Sequence, residues 1–164
     1  MPFNFLVLQP GSSPTLHTAA ILSTGLFAGA ALYVTSVEHP ARLRMSAESA
    51  QRQFQLSYPR AARIQAALAV IGGVSSLALG HIHPLQATRF YTAGGAMLSI
   101  IAFTMGVILP TNKKLLAGDS TASSAGGDNV WKLLTTWGWM HSVRTAASLL
   151  ALGLLVVPPV VAIV

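Results

Sequence analysis

A chain of 164 residues amounts to one domain, and its make-up excludes an ordinary soluble surface: 52% of residues are hydrophobic and 9% charged, against about 25% charged in soluble domains. It contains no cysteine, which removes disulfides, thiolate nucleophiles, zinc-thiolate sites, iron-sulfur clusters and the thiol relay of four-helix membrane quinone and disulfide enzymes. The net charge of +6 fits lysine and arginine gathered on the cytoplasmic side of a membrane, and without a basic helix or an aromatic-basic module no nucleic-acid partner is expected.

Residues 1–14 carry Pro2, Pro10, Gly11 and Pro14 and no charged side chain, so a helix is not predicted there. They lack the basic n-region of a secretory signal, and the segment is expected to stay in the mature protein. The first predicted span is residues 15–37, uncharged and long enough for a hydrocarbon core of ~30 Å. Within it Gly25 and Gly29 form a small-xxx-small pair that suits close helix approach, inside a bundle or between two copies. The apolar run breaks at Glu38-His39-Pro40-Ala41-Arg42, where Pro40 is expected to prevent a regular helix from continuing.

Residues 45–56 mix Glu48, Gln51, Arg52, Gln53 and Gln55 with Ala, Phe and Leu, the pattern of a short interfacial helix. Pro59, a favoured first helical residue, opens the second span, residues 60–80, with Arg60, Arg63 and Gln65 in its first turns. An arginine at that depth snorkels to the interface or pairs within the bundle. A turn containing His81 and His83 reads as solvated rather than metal-binding and leads to the third span, residues 89–109. That span is expected to stop at Leu109-Pro110, with Thr111 and Asn112 just beyond it.

Residues 117–127, rich in Gly, Ser and Ala, have the composition of a flexible loop. A helix from Asn129 carries Trp131, Trp137 and Trp139 and suits the membrane interface. The fourth span, residues 140–163, opens with His141 and Arg144 on one helical face, and Pro158 and Pro159 are expected to kink or end it.

The predicted fold is all-α. It is a single integral membrane antiparallel four-helix bundle, with a short interfacial helix in loop one and another before span four. Loops one and three share one face, and every Lys and Arg except Arg89 lies on or nearest that face. The positive-inside tendency then makes loops one and three cytoplasmic and both termini luminal or exoplasmic. Antiparallel packing gathers Glu38, His39, Arg60, Arg63, Gln65, Thr111, Asn112, Trp137, Trp139, His141 and Arg144 at that boundary.

The ordered set of segments running from Ser23 to Arg42, Tyr58-Pro-Arg-Ala-Ala-Arg-Ile-Gln65, Pro110-Thr-Asn-Lys-Lys-Leu115 and Trp137-Gly-Trp-Met-His-Ser-Val-Arg144 resembles the anthrone oxygenase family of small four-span membrane proteins. The resemblance implies oxygenation of a polyketide anthrone to an anthraquinone, with no flavin or haem motif evident. No organic cofactor is then expected, dioxygen is the co-substrate, and the partners are the bilayer and a hydrophobic aromatic molecule.

Chemically, such a reaction needs a base for an acidic methylene, donors for the resulting oxyanion and an apolar slot. His39 or His141 is the candidate base, since an unperturbed imidazole titrates near ~6.5. Glu38 either orients that imidazole, serves as the base itself, or simply neutralises Arg63 or Arg144. Arg63, Arg144 and Asn112 are the donor candidates. Trp137, Trp139 and Tyr33 are candidate walls, with Gln65, Arg60 and Thr111 as further substrate contacts. Two alternatives stay open: a metal-dependent oxidase using Glu38, His39 and His141 as ligands, and a non-enzymatic protein that binds a lipid, quinone or other small molecule, as a homo-oligomer or a membrane-complex subunit.

Overall fold

A computed structural model of the chain describes residues 13–118 and 124–157. The readings made for residues 1–12, for the centre of the loop at 119–123 and for Pro158 and Pro159 lie outside them. The described chain is helical almost throughout: α1 (Pro14–Tyr33), a π turn (Val34–Glu38), α2 (His39–Arg42), α3 (Ala47–Ile82), a 3-10 turn (Pro84–Gln86), α4 (Ala87–Phe103), a second π turn (Thr104–Ile108), α5 (Leu109–Ala117) and α6 (Ser124–Val156).

Four stretches are long and apolar enough to cross a membrane, Pro14–Arg42, Ala47–Ile82, Pro84–Ala117 and Gly127–Val156. The protein is an integral membrane helical bundle. α1 and α4 each pack on both α3 and α6, so the helices follow chain order around the bundle, as short connections between antiparallel neighbours dictate. Ser13 and Ser46 cap α1 and α3 by accepting from the backbone N–H of Leu16 and Ser49.

Four boundaries differ from the sequence expectation. Pro40 does not stop the first span. A proline lacks an N–H and its ring collides with the carbonyl four residues back. The helix meets this by widening one turn, so that the His39 N–H reaches back to the Val34 carbonyl and the chain runs on to Arg42. The same device precedes Pro110, where the Leu109 N–H bonds the Thr104 carbonyl and α5 continues to Ala117.

The interfacial helix expected in loop one is not separate either. It forms the start of α3, with Pro59 inside a continuous helix rather than at its first turn. Its Gln51 and Gln55 donate to the Leu115 carbonyl at 3.0 and 3.4 Å, and Gln55 also reaches the Leu116 carbonyl. They thereby satisfy backbone acceptors that the end of α5 leaves open. Likewise the tryptophan helix and the fourth span are one element, α6.

Close helix approach falls elsewhere than at Gly25 and Gly29. A side chain at Gly29 would meet nothing within 4 Å, and at Gly25 only Leu152 at 3.7 Å. Tight contacts between helices include Gly72 of α3 against Thr24 of α1, and Gly73 of α3 against Gly94 of α4. A Cβ on Gly94 would lie 2.9 Å from the Gly73 carbonyl oxygen and 2.8 Å from Leu77. Because backbone cannot swing aside, Gly94→Ala is expected to destabilise the bundle by about 1–3 kcal/mol, seen as a lower melting midpoint in detergent, whereas Gly29→Ala should leave that midpoint unchanged.

The buried apolar residues form two clusters. One, in the body of the bundle, includes Phe27, Ala69, Leu79, Met97, Ile100 and Leu155. The other, built from the start of α3, the second π turn, α5 and the first half of α6, includes Phe54, Ile108, Leu115, Leu134 and Trp137. Residues of both clusters line a single cavity.

Candidate functional site

The cavity has a volume of about 340 Å³ and is walled mainly by apolar side chains of α1, α3, α4 and α6. On α3, Phe54, Tyr58, Gln65 and Ala69 recur at helical spacing and face it together. From α6 come Trp137, His141 and Arg144, again one face of one helix. The first π turn contributes Val34 and Glu38, and the second contributes Thr104 and Met105. Both irregular turns therefore stand at the site, where such widened turns are often found.

Its polar groups are organised in three units. In the first, Arg42 forms an ion pair with Glu38 one turn before it, and its Nε donates to Gln53 Oε1 at 2.7 Å. Gln53 Nε2 also donates to Glu38 at 3.4 Å. The guanidinium lies over the rings of Phe54 and Trp137, 5.6 Å from each centroid. Glu38 thus pairs with Arg42 and not, as expected, with Arg63 or Arg144.

The second unit surrounds His141, a buried side chain that packs on Trp137 with ring centroids 4.7 Å apart. Its Nδ1 is 3.0 Å from Thr35 Oγ1, which is 2.8 Å from Thr145 Oγ1, which in turn is within reach of the Ala31 and His141 carbonyls. Carbonyls only accept, so Thr145 donates to them, Thr35 donates to Thr145, and Thr35 accepts from His141 Nδ1–H. That order gives every proton a partner and leaves the ring's Nε2 carrying the lone pair.

The third unit is cationic. Arg144 is 7% exposed, donates from Nη2 to Gln65 Oε1 at 2.7 Å and lies over Phe27. Among the described residues the only side-chain ion pair is that of Glu38 with Arg42, so Arg144 is a buried cation held by a neutral amide and an aromatic face. Its Nε, together with Trp137 Nε1 and Arg42 Nη1, is a buried donor with no partner among the described residues. Nearby, Asn112, 0% exposed, donates from Nδ2 to the Tyr58 hydroxyl at 2.6 Å. The Tyr58 hydrogen is thereby left free to serve an acceptor in the cavity.

Of the residues singled out in the sequence, Glu38, Arg63, Gln65, Trp137, His141 and Arg144 line this cavity. Asn112 reaches it through Tyr58. His39 is buried but is not part of the lining: its ring packs on Trp137 at 5.3 Å and occupies the space a side chain at Gly138 would need. Tyr33 (57% exposed) and Trp139 (76% exposed) face outward, Arg60 is exposed, and neither Arg60 nor Thr111 lines the cavity. These four therefore do not contribute to its walls.

Arg42, Phe54, Tyr58 and Thr35 had not been singled out as site residues. The signal for Arg42 was its place four residues after Glu38, and for Phe54 and Tyr58 their spacing from Gln65. Glu38 and His141 are engaged by Arg42 and Thr35, and among the described residues no group of three or more His, Cys, Asp or Glu side chains is gathered so as to hold a metal ion. His81 and His83 do not act as a pair. His81 is exposed, while the His83 ring packs with His17 and Phe90 at the opposite end of the bundle.

Fold and cavity together define a small integral membrane protein with a ligand-sized site set into one end of a helical bundle. The chain belongs to the anthrone oxygenase family, whose model matches residues 54–154, a stretch that holds α3 from Phe54 onward, α4, α5 and most of α6. No curated protein and no solved structure matches the chain. Family membership supports an oxygenase-like function at the level of the class.

Proposed function

We propose that this protein is a membrane oxygenase that removes a proton from a flat aromatic ketone of the anthrone type and directs the resulting anion to react with dioxygen. The observation that carries the reading is the buried Arg144 guanidinium, without a carboxylate partner, lining one cavity with an imidazole whose Nδ1 is held by Thr35. A buried cation of that kind is costly unless something anionic arrives beside it.

In this reading His141 Nε2 takes one proton from the methylene opposite the substrate carbonyl. The electron pair left behind delocalises onto the carbonyl oxygen, where Arg144 and the Tyr58 hydroxyl stabilise it as an oxyanion. Donors fixed in advance are worth most at a site walled from water. The anion's ring carbon then forms a bond to dioxygen, and the imidazolium returns its proton to the terminal oxygen. Loss of the second methylene hydrogen with cleavage of the O–O bond gives a new carbonyl and water. The balance is one methylene and one dioxygen to one carbonyl and one water, with dioxygen as the only oxidant. No metal or organic cofactor enters this scheme.

Trp137 and Phe54 form the aromatic side of the slot, and Asn112, Gln65 and Thr35 act by positioning Tyr58, Arg144 and His141. We assign the end of the bundle bearing the cavity to the cytoplasmic face, in keeping with the concentration of Lys and Arg there.

The test is turnover under ¹⁸O₂ of an anthrone by the purified protein in lipid discs. One labelled oxygen is expected in the quinone and one in water, at a rate well above the uncatalysed reaction in protein-free discs. Oxygen uptake no faster than in protein-free discs, with the substrate bound unchanged, would instead mark the protein as a binder.

A further inference from the structure

The cavity wall is not closed on all sides. Ala61 and Ala66 of α3 line the cavity and are also exposed on the outer surface of the bundle. Across from them Met105, in the second π turn, lines the cavity and is 61% exposed. Residues that belong to both surfaces mark an opening, and this one lies between two membrane-crossing stretches. It lies close to the end of the bundle where the polar residues collect. Ala61, Ala62 and Ala66 carry only methyl groups, so a flat ring system can lie close against this wall.

Charge marks the same opening. Three guanidiniums, Arg42, Arg63 and Arg144, line the cavity against one carboxylate, Glu38, which Arg42 already engages. Arg144 lies deep, 7% exposed, with an unpartnered Nε. Arg63 lies in the exposed wall of α3 and has no hydrogen bond or ion pair among the described residues. Two cations are thus left for whatever enters, one at depth and one at the mouth. A volume of about 340 Å³, at the small end of ligand sites, holds a few fused rings and excludes the body of a two-chain lipid.

We propose that the site selects planar aromatic acids dissolved in the bilayer, which enter sideways between α3 and the second π turn and are held by their acidic substituent at Arg63. This rests on the oxygenase reading of the same cavity in that Arg144 is reserved for the charge that develops during reaction, while Arg63 serves a charge the substrate already carries. The shape of the slot sets planarity, and the mouth arginine sets the preference for an ionised carboxylate or phenolate. A charge-assisted hydrogen bond from Arg63 is worth about tenfold in affinity.

The test is equilibrium binding, which needs no turnover. The purified protein in phosphatidylcholine discs is titrated with 9-anthracenecarboxylate and with the neutral 9-anthracenecarboxamide, each corrected for partition into protein-free discs. The wild type is expected to bind the acid about tenfold more tightly than the amide. Arg63→Gln should erase that preference without changing amide binding, and Arg63→Lys should restore most of it. Ala66→Phe, verified as folded by its melting curve, should slow association of both probes.

An Arg63→Gln protein that keeps the acid preference would overturn the proposal, as would a wild type that binds amide and acid alike. Loss of the preference when phosphatidylglycerol is added to the discs would overturn it too, since Arg63 would then be serving a lipid headgroup. Acid selectivity at Arg63 without oxygen uptake would sustain this proposal and sink the oxygenase reading. Uptake with no role for Arg63 would do the reverse.

Discussion

Glutamine in place of His141 is expected to slow oxygenation by about 10²–10⁴-fold, the usual worth of a positioned general base, while the bundle stays folded. The side-chain amide can still donate to Thr35 Oγ1, the partner of His141 Nδ1 at 3.0 Å, but it has no lone pair basic enough to accept a methylene proton. Initial rates of oxygen uptake, scaled to folded protein, measure the loss. Thr35→Val offers an internal comparison: it keeps the imidazole and removes the acceptor that holds its tautomer. Its rate should fall between those of the wild type and His141→Gln. Full turnover by His141→Gln would exclude the imidazole as the base.

A second substitution is expected to move activity and stability in opposite directions. Arg144→Met keeps a long side chain over Phe27 and removes a buried charge that no carboxylate offsets. The loss of an oxyanion donor is expected to cost about 10²–10³-fold in rate. Replacing buried charges by apolar groups of similar volume is often neutral or stabilising by about 1–4 kcal/mol. The amide of Gln65 would lose its partner, so the cleaner protein is the double variant Arg144→Met with Gln65→Leu. Its melting midpoint should equal or exceed that of the wild type. If activity and midpoint fall together, Arg144 is a structural residue, and the oxyanion role passes to Tyr58 alone.

Much of the architecture was readable from hydropathy, because lipid imposes long uncharged helices whatever their packing. The gathering of Glu38, His141, Arg144, Gln65 and Arg63 at one end also followed from topology. What was missed traces to two assumptions. Treating Pro40 as a stop hid Arg42, which becomes the partner of Glu38 only if the helix continues past the proline. Treating Pro59 as a start cut Phe54 and Tyr58 away from Gln65, although the three share one face of an unbroken α3.

Trp139 lies off the cavity for a different reason. Residues two apart on a helix point to opposite sides, so Trp137, His141 and Arg144 exclude Trp139 from their face by spacing alone. Tyr33, Arg60 and Thr111 were grouped with the site by nearness to a helix end, which places a residue at the right depth but on no particular side. The network of Thr35 and Thr145 could not be read at all, since it depends on how two helices 106 to 110 residues apart in sequence are rotated against each other.

The two widened turns have a consequence for how this chain can change. Each inserts the equivalent of one extra residue, about 100° of rotation, inside the stretch of chain that borders the cavity: Phe27 precedes the first turn and Arg42 follows it, and Ile100 and Ile101 precede the second. The helical face before each turn and the face after it are therefore no longer bound to a common repeat. Substitutions can accumulate on the stripe at one side of a turn without rotating the stripe at the other, so the two ends of the cavity wall can be retuned separately.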